Sequence, residues 1–172
     1  MNVKVRHRPG KQFWALLVAS ALIHGCSSVV AASESGLPVI EACFVSSAGP
    51  IAVKLEVAST SAQRQKGLMG RNTLGQNAGM LFEYREPRQA THGFWMHKTL
   101  IPLDIAYLNR DGVIGNIRQM VPCTSASGSG CPTYPAGVPF IKAVEMNAGF
   151  FREHDLRSGD RLYLGAADCP AQ

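Results

Sequence analysis

Two carboxylates stand in stretches too apolar to leave them in water. Asp104 lies in Leu103-Asp104-Ile105-Ala106-Tyr107-Leu108, where the period of a strand puts Leu103, Ile105 and Tyr107 on one face and Asp104, Ala106 and Leu108 on the other. Both faces read as buried. An isolated buried charge is strongly disfavoured, so Asp104 must be hydrogen-bonded, paired with a cation such as Arg71, Lys98 or Arg118, or used as the acid, base or ligand anchor of a site. Glu145 makes a similar case, because alternation places it with Ile141 and Ala143 on an inward face. Two such acids held roughly 5 to 10 Å apart across a cleft would equip a metal-independent hydrolase for a glycan or similar substrate. A structural network with Arg71 accounts for both acids with fewer demands on the fold.

Trp95 follows Phe94 and precedes Met96, so it faces away from both on a strand. As an exposed ring beside Tyr134 it would form a platform for a sugar or an apolar ligand; as a core side chain, the commoner fate of tryptophan, it would only pack. Arg71, Trp95, Asp104 and Tyr134 are the ligand-binding set that such a cleft predicts. Met69, Met80, Met96, Met120 and Met146, with His92 or His97, raise the alternative of a copper protein. Against it, the two histidines fall on opposite faces of a continuous strand, and scattered methionine fills cores. No Gly-x-Ser-x-Gly or Cys-His nucleophile pattern occurs, and Gly67-Leu68-Met69-Gly70 is too short for a phosphate loop and reads as a helix end. No cofactor and no metal are expected.

Short strands must position these residues. Val39–Phe44 and Ile51–Val57 read as two strands and a turn, and Thr60-Ser61-Ala62-Gln63 has the form of a capping box opening a short helix that stops near Gly67 or Gly70. Met80–Phe82, Thr91–Met96 and Leu103–Leu108 read as strands, and Asn109-Arg110-Asp111-Gly112 before Val113–Ile117 is a strong hairpin signal. A Pro- and Gly-rich excursion runs from Pro122 to Pro139. Phe140–Met146 and Arg161–Leu164 resume as strands around a short helix within Ala148–Asp155. The pattern predicts a mainly β domain, a compact antiparallel sandwich or barrel with one or two short helices.

Residues 1–32 have the three parts of a secretory signal: a basic start, an apolar run of 11 residues from Phe13 to Ile23, and small residues after it. The run is too short to span a bilayer, which takes about 20 residues. Cleavage near Ala32 is one outcome. The other is a lipobox, Leu22-Ile23-His24-Gly25-Cys26, with Cys26 carrying the lipid. Either leaves 33–172 as a single domain with Cys43, Cys123, Cys131 and Cys169, which three disulfide pairings could satisfy. Chain logic favours closing the flexible stretch between Cys123 and Cys131, leaving Cys43 for Cys169; the spacings match no common zinc pattern. The formal charge of +5 also belongs to the leader: without Lys4, Arg6, Arg8 and Lys11, 13 basic residues face 12 acidic ones. That balance removes the main argument for nucleic acid.

Gly67-Leu68-Met69-Gly70-Arg71, the run from Gly93 to Tyr107 with its F-W-M-x-x-T-L-x-P-L-D core, and Val144-Glu145-Met146-Asn147-Ala148-Gly149 resemble the DUF192 family in order and spacing, over roughly Ile51 to Leu164. The resemblance implies a small, compact, mostly β domain, often exported, with no settled activity. The family often has Lys-Asn where His97-Lys98 stand here, so it assigns His97 no role. The expectation is an exported protein, periplasmic, secreted or lipid-anchored, acting as a non-catalytic ligand-binding or envelope-associated module. Its partner would be a small molecule, a glycan or an envelope protein, and a membrane would be met only through a lipid on Cys26.

Overall fold

The computed structural model describes Met1 and residues 35–170; the rest of the leader, with Cys26, lies outside the described residues. Strands β1 (Val39–Ser46) and β2 (Gly49–Ala58) form a hairpin, followed by helix α1 (Ser61–Lys66) and strand β3 (Ala78–Arg88). Next come β4 (Gly93–Trp95), β5 (Leu103–Leu108), β6 (Ile114–Met120), β7 (Thr133–Pro135) and β8 (Phe140–Asn147), then α2 (Phe150–Glu153) and β9 (Arg161–Leu164). Seven strands form one sheet in the order β6-β5-β8-β3-β2-β1-β9, and β4 pairs with β7 in a separate ribbon. The predicted β class holds, with one departure from antiparallel pairing: β3 lies parallel to β2. A parallel neighbour needs a crossover, and α1 with the loop after it supplies one.

The capping box is formed. Thr60 Oγ1 accepts the Gln63 N–H at 3.2 Å, and Gln63 Oε1 accepts the Thr60 N–H at 2.9 Å. The expected strand at Thr91–Met96 shrinks to Gly93–Trp95, because only these three residues pair in a ladder, with Thr133–Pro135.

The sheet curls until its edges meet. Val113 bridges to Arg161, the Ile114 N–H donates to Asp160 O at 2.8 Å, and the Leu162 N–H donates to Gly112 O at 2.9 Å. Gly112, at φ 81°, is needed twice here: it turns the β5–β6 hairpin, and a Cβ on it would lie 2.2 Å from Leu162 O. The curl encloses an inner core in which Phe44, Leu55, Leu81 and Val144 meet Phe150 and Phe151 of the α2 region. The convex face carries a second core, with Met80, Phe82, Met96, Ile105 and Tyr107, covered by the ribbon and by the loop after α1.

Both disulfides pair as chain logic favoured, Cys43 with Cys169 and Cys123 with Cys131. They close loops of very different length, with sequence separations of 126 and 8. In the chain-entropy account the long closure is worth about 5 kcal/mol and the short one about 2.5 kcal/mol. Urea denaturation should therefore show a larger loss for C43S/C169S than for C123S/C131S.

Candidate functional site

Asp104 faces the inner core from β5, opposite Gln119 and Met146 on its two neighbours. Its Oδ2 accepts the Gly149 N–H at 2.8 Å, and the Phe151 amide is a second backbone donor. Those amides open α2, and Gly149 has no side chain to cap them. Asp104 thus caps a helix from another strand, a role outside the expected ion pairs with Arg71, Lys98 or Arg118. Burial pushes its carboxyl above the usual range, while the two amides and Arg152 pull it back. A cavity of about 610 Å³ opens beside it, with Gln119, Arg152 and Arg157 on its walls.

Glu145 lies opposite Ile105 and Met80, on the outer face. Its surroundings are the apolar outer core, and burial pushes its carboxyl up to about 8. The expected link to Arg71 is absent: Arg71 Nη2 instead pairs with Glu56 Oε2 at 2.6 Å. Asp104 and Glu145 therefore stand on opposite faces of one sheet, and the carboxylate pair drawn from the sequence does not assemble. Period-two alternation placed each acid on a buried face; with two cores, these are different faces.

Trp95 and Tyr134 also part company. In the ribbon Trp95 is opposite Thr133 and Phe94 opposite Tyr134, so Phe94 and Tyr134 turn to the outer core while Trp95 turns away, 44% exposed. The core fate expected for Trp95 is thus overturned. Tyr134 instead ties layers together: its carbonyl accepts the Tyr107 hydroxyl at 2.6 Å, and its own hydroxyl accepts the Val121 N–H at 3.0 Å. Arg71, Trp95, Asp104 and Tyr134 share no cleft. The methionines and histidines do not converge either: Met80, Met96 and Met120 belong to the outer core and Met146 to the inner one, while His92 packs on Tyr84 and Phe140 and His97 on Trp95.

The ring closed by Cys123–Cys131 folds back over Trp95 and His97. Cys123 bridges to His97 and Thr99, and a Cβ on Gly128 would lie 3.1 Å from the Trp95 ring and 3.2 Å from His97 Cγ. Around it Leu100 and Val121 are 43% and 56% exposed. Sequence reasoning missed both; the signal was there, since each is a large apolar residue just before a proline-containing turn and outside a strand.

The DUF192 profile, described as an uncharacterized family, matches residues 44–164. The chain belongs to the DUF192 family. Two solved structures are similar to it. One, from Sinorhizobium meliloti 1021 and described as a "putative transcription regulator", is 28% identical with a TM-score of 0.67, covering 74% of this chain and 95% of its own. The other, a protein of unknown function from Novosphingobium aromaticivorans DSM 12444, is 32% identical with a TM-score of 0.68, covering 75% and 87%. No curated protein matches the sequence. The DUF192 segments meet through their backbones: Gly70 N–H donates to Lys98 O at 2.9 Å, and Ala148 N–H to Pro102 O at 3.2 Å.

Two substitutions separate the acids. Asp104→Ala strands the Gly149 and Phe151 amides and should cost about 1 to 3 kcal/mol in urea denaturation, with Asp104→Asn, which keeps an acceptor, losing less. For Glu145 the folded state holds its proton more tightly than the unfolded chain. Its stabilising contribution is therefore complete below about 4.5 and is lost as pH rises toward about 8. Melting temperature should fall across that window, and Glu145→Gln should flatten the fall.

Proposed function

We propose that this DUF192 protein is an exported, non-catalytic binding module of the bacterial envelope, and that it binds through the outer ribbon and the stapled ring. The supporting observation is Trp95, exposed together with Leu100 and Val121 around a disulfide-closed ring, while Asp104 is engaged in capping α2. Exposed large apolar groups gathered in one region mark interaction surfaces. Two disulfides suit an oxidising compartment, and the basic, apolar and small segments of residues 1–32 suit delivery there, with release near Ala32 or tethering by a lipid on Cys26. Among the described residues no helix is long and apolar enough to cross a membrane.

A nucleic-acid partner, the class that the Sinorhizobium protein's description would suggest, fits less well with an export signal and a near-neutral mature chain. A hydrolase would need acids that share a cleft, and these do not.

Residues 1–34 fused to alkaline phosphatase should give periplasmic activity, and labelled palmitate should mark the full chain unless Cys26→Ser is present if the lipobox is used. In the Cys26→Ser background the protein should still fractionate with the envelope through its surface, and W95A/L100S/V121S should move it to the soluble fraction. An inactive fusion would overturn export, and unchanged fractionation would overturn the binding surface.

A further inference from the structure

The ribbon and the ring over it combine exposed apolar surface with segments that hold no acidic residue. Three segments contribute to this outer layer: residues 57–82 with α1 and its loop, 87–103 with β4, and 112–144 with β6, the ring and β7. None contains an Asp or Glu, although the chain has 12, and seven of the 13 Lys and Arg beyond residue 33 lie in them. Acids flank each segment, at Glu56, Glu83, Glu86, Asp104, Asp111 and Glu145, so the acid-free character belongs to the segments themselves, the ribbon and the ring among them. Three acids border this layer: Glu56 of β2 pairs with Arg71, Glu86 of β3 lines a groove with Arg64 and Arg88, and Glu145 is buried in the outer core beneath.

Within the layer, backbone contacts gather the exposed apolar groups around Cys123. The Lys98 N–H donates to Cys123 O at 2.9 Å and the Cys123 N–H to Met96 O at 3.2 Å. Trp95 lies one residue before Met96, Leu100 follows the Thr99 that bridges to Cys123, and Val121 stands two residues before Cys123. Lys98 is exposed in the same region, and Arg118 is exposed on β6 with its guanidinium beside Gly137, just past the end of β7. A tryptophan and two aliphatic side chains bordered by cations and free of acids in their own segments match the interface of an anionic bilayer, where indole sits at headgroup level and Lys or Arg meets phosphate. A glycan would instead ask for fixed hydrogen-bonding side chains.

The geometry points to a membrane-facing surface, in which Trp95, Leu100 and Val121 enter the headgroup region of an anionic leaflet and Lys98 and Arg118 pair with its phosphates. It rests on the envelope-binding reading above and names the partner. Ser35 and Leu37 line a groove with Lys66, Gly70 and Arg71, and Gly70 bonds to Lys98. Cys26 is nine residues before Ser35, a reach of at most about 30 Å. A lipid there would hold this face toward the leaflet, and stable anchoring takes two such signals.

The test uses residues 27–172, which lack the leader and Cys26 so that no lipid contributes, with vesicles of phosphatidylcholine alone or mixed with phosphatidylglycerol. With Trp14 removed in the leader, Trp95 is the single tryptophan and reports its own environment. Sedimentation with the anionic vesicles should exceed that with phosphatidylcholine by about tenfold or more, weaken with salt, and come with a blue shift of Trp95 emission. W95A/L100S/V121S and, separately, K98E/R118E should each lower it by about tenfold while melting temperatures stay within the range of the parent. Equal binding to both vesicles, undiminished binding by folded variants, or binding to an acidic polysaccharide with none to vesicles overturns the proposal. The phosphatase fusion is read independently, so a failure of export and a failure of the surface remain distinct.

Discussion

Strand β5 is buried at all six positions, because the sheet curls around one core and carries another on its convex side. A strand with no wet face has no cheap place for a polar group, so each one on it must find a partner in a neighbouring layer. Asp104 reaches inward to the amides that open α2, and the Tyr107 hydroxyl reaches outward to the Tyr134 carbonyl in the ribbon. One strand thereby fixes the helix on one face and the covering layer on the other. The placement of Trp95 follows, since anchoring Phe94 and Tyr134 to the outer core leaves the alternate ribbon residues facing away.

The DUF192 segments make sense in that frame. Leu103, Asp104 and Gly149 join β5 to the turn after β8, while Gly70 and Lys98 join the helix loop to the bend after β4. Glu145 stands apart. It is a carboxyl in an apolar core whose titration burial alone displaces, so the neutral acid is its favoured form over much of the physiological range. Such groups occur both at functional sites and as tolerated costs in structural cores.

The disulfides fasten segments that lie outside the named strands, the ring and the tail. Cys123–Cys131 closes a ring held to the ribbon mainly by isolated bridges and by Gly128 against Trp95 and His97. Cys43–Cys169 fastens the tail beyond β9 to β1, the strand next to the sheet edge. Cys123, Cys131 and Cys169 lie outside the named strands, whereas Cys43 is paired on both sides within β1, so the long bridge ties a loose tail to the body of the sheet.

Local pattern carried much of this. The capping box at Thr60, the Asn109–Gly112 turn, β5 with its ends, the favoured cysteine pairs and the family membership were all legible in the sequence, because each depends on residues near one another in the chain or on a long ordered motif. The burial of Asp104 and Glu145 was legible too. What alternation could not decide was which of two buried faces each acid occupied, since period two distinguishes faces only relative to a core whose number and position come from the curl of the whole sheet. The same limit governed Trp95, Tyr134 and Arg71. Their partners lie in other elements, and strand order, the parallel return of β3 and the seating of the ribbon are set by long-range packing that no single segment specifies.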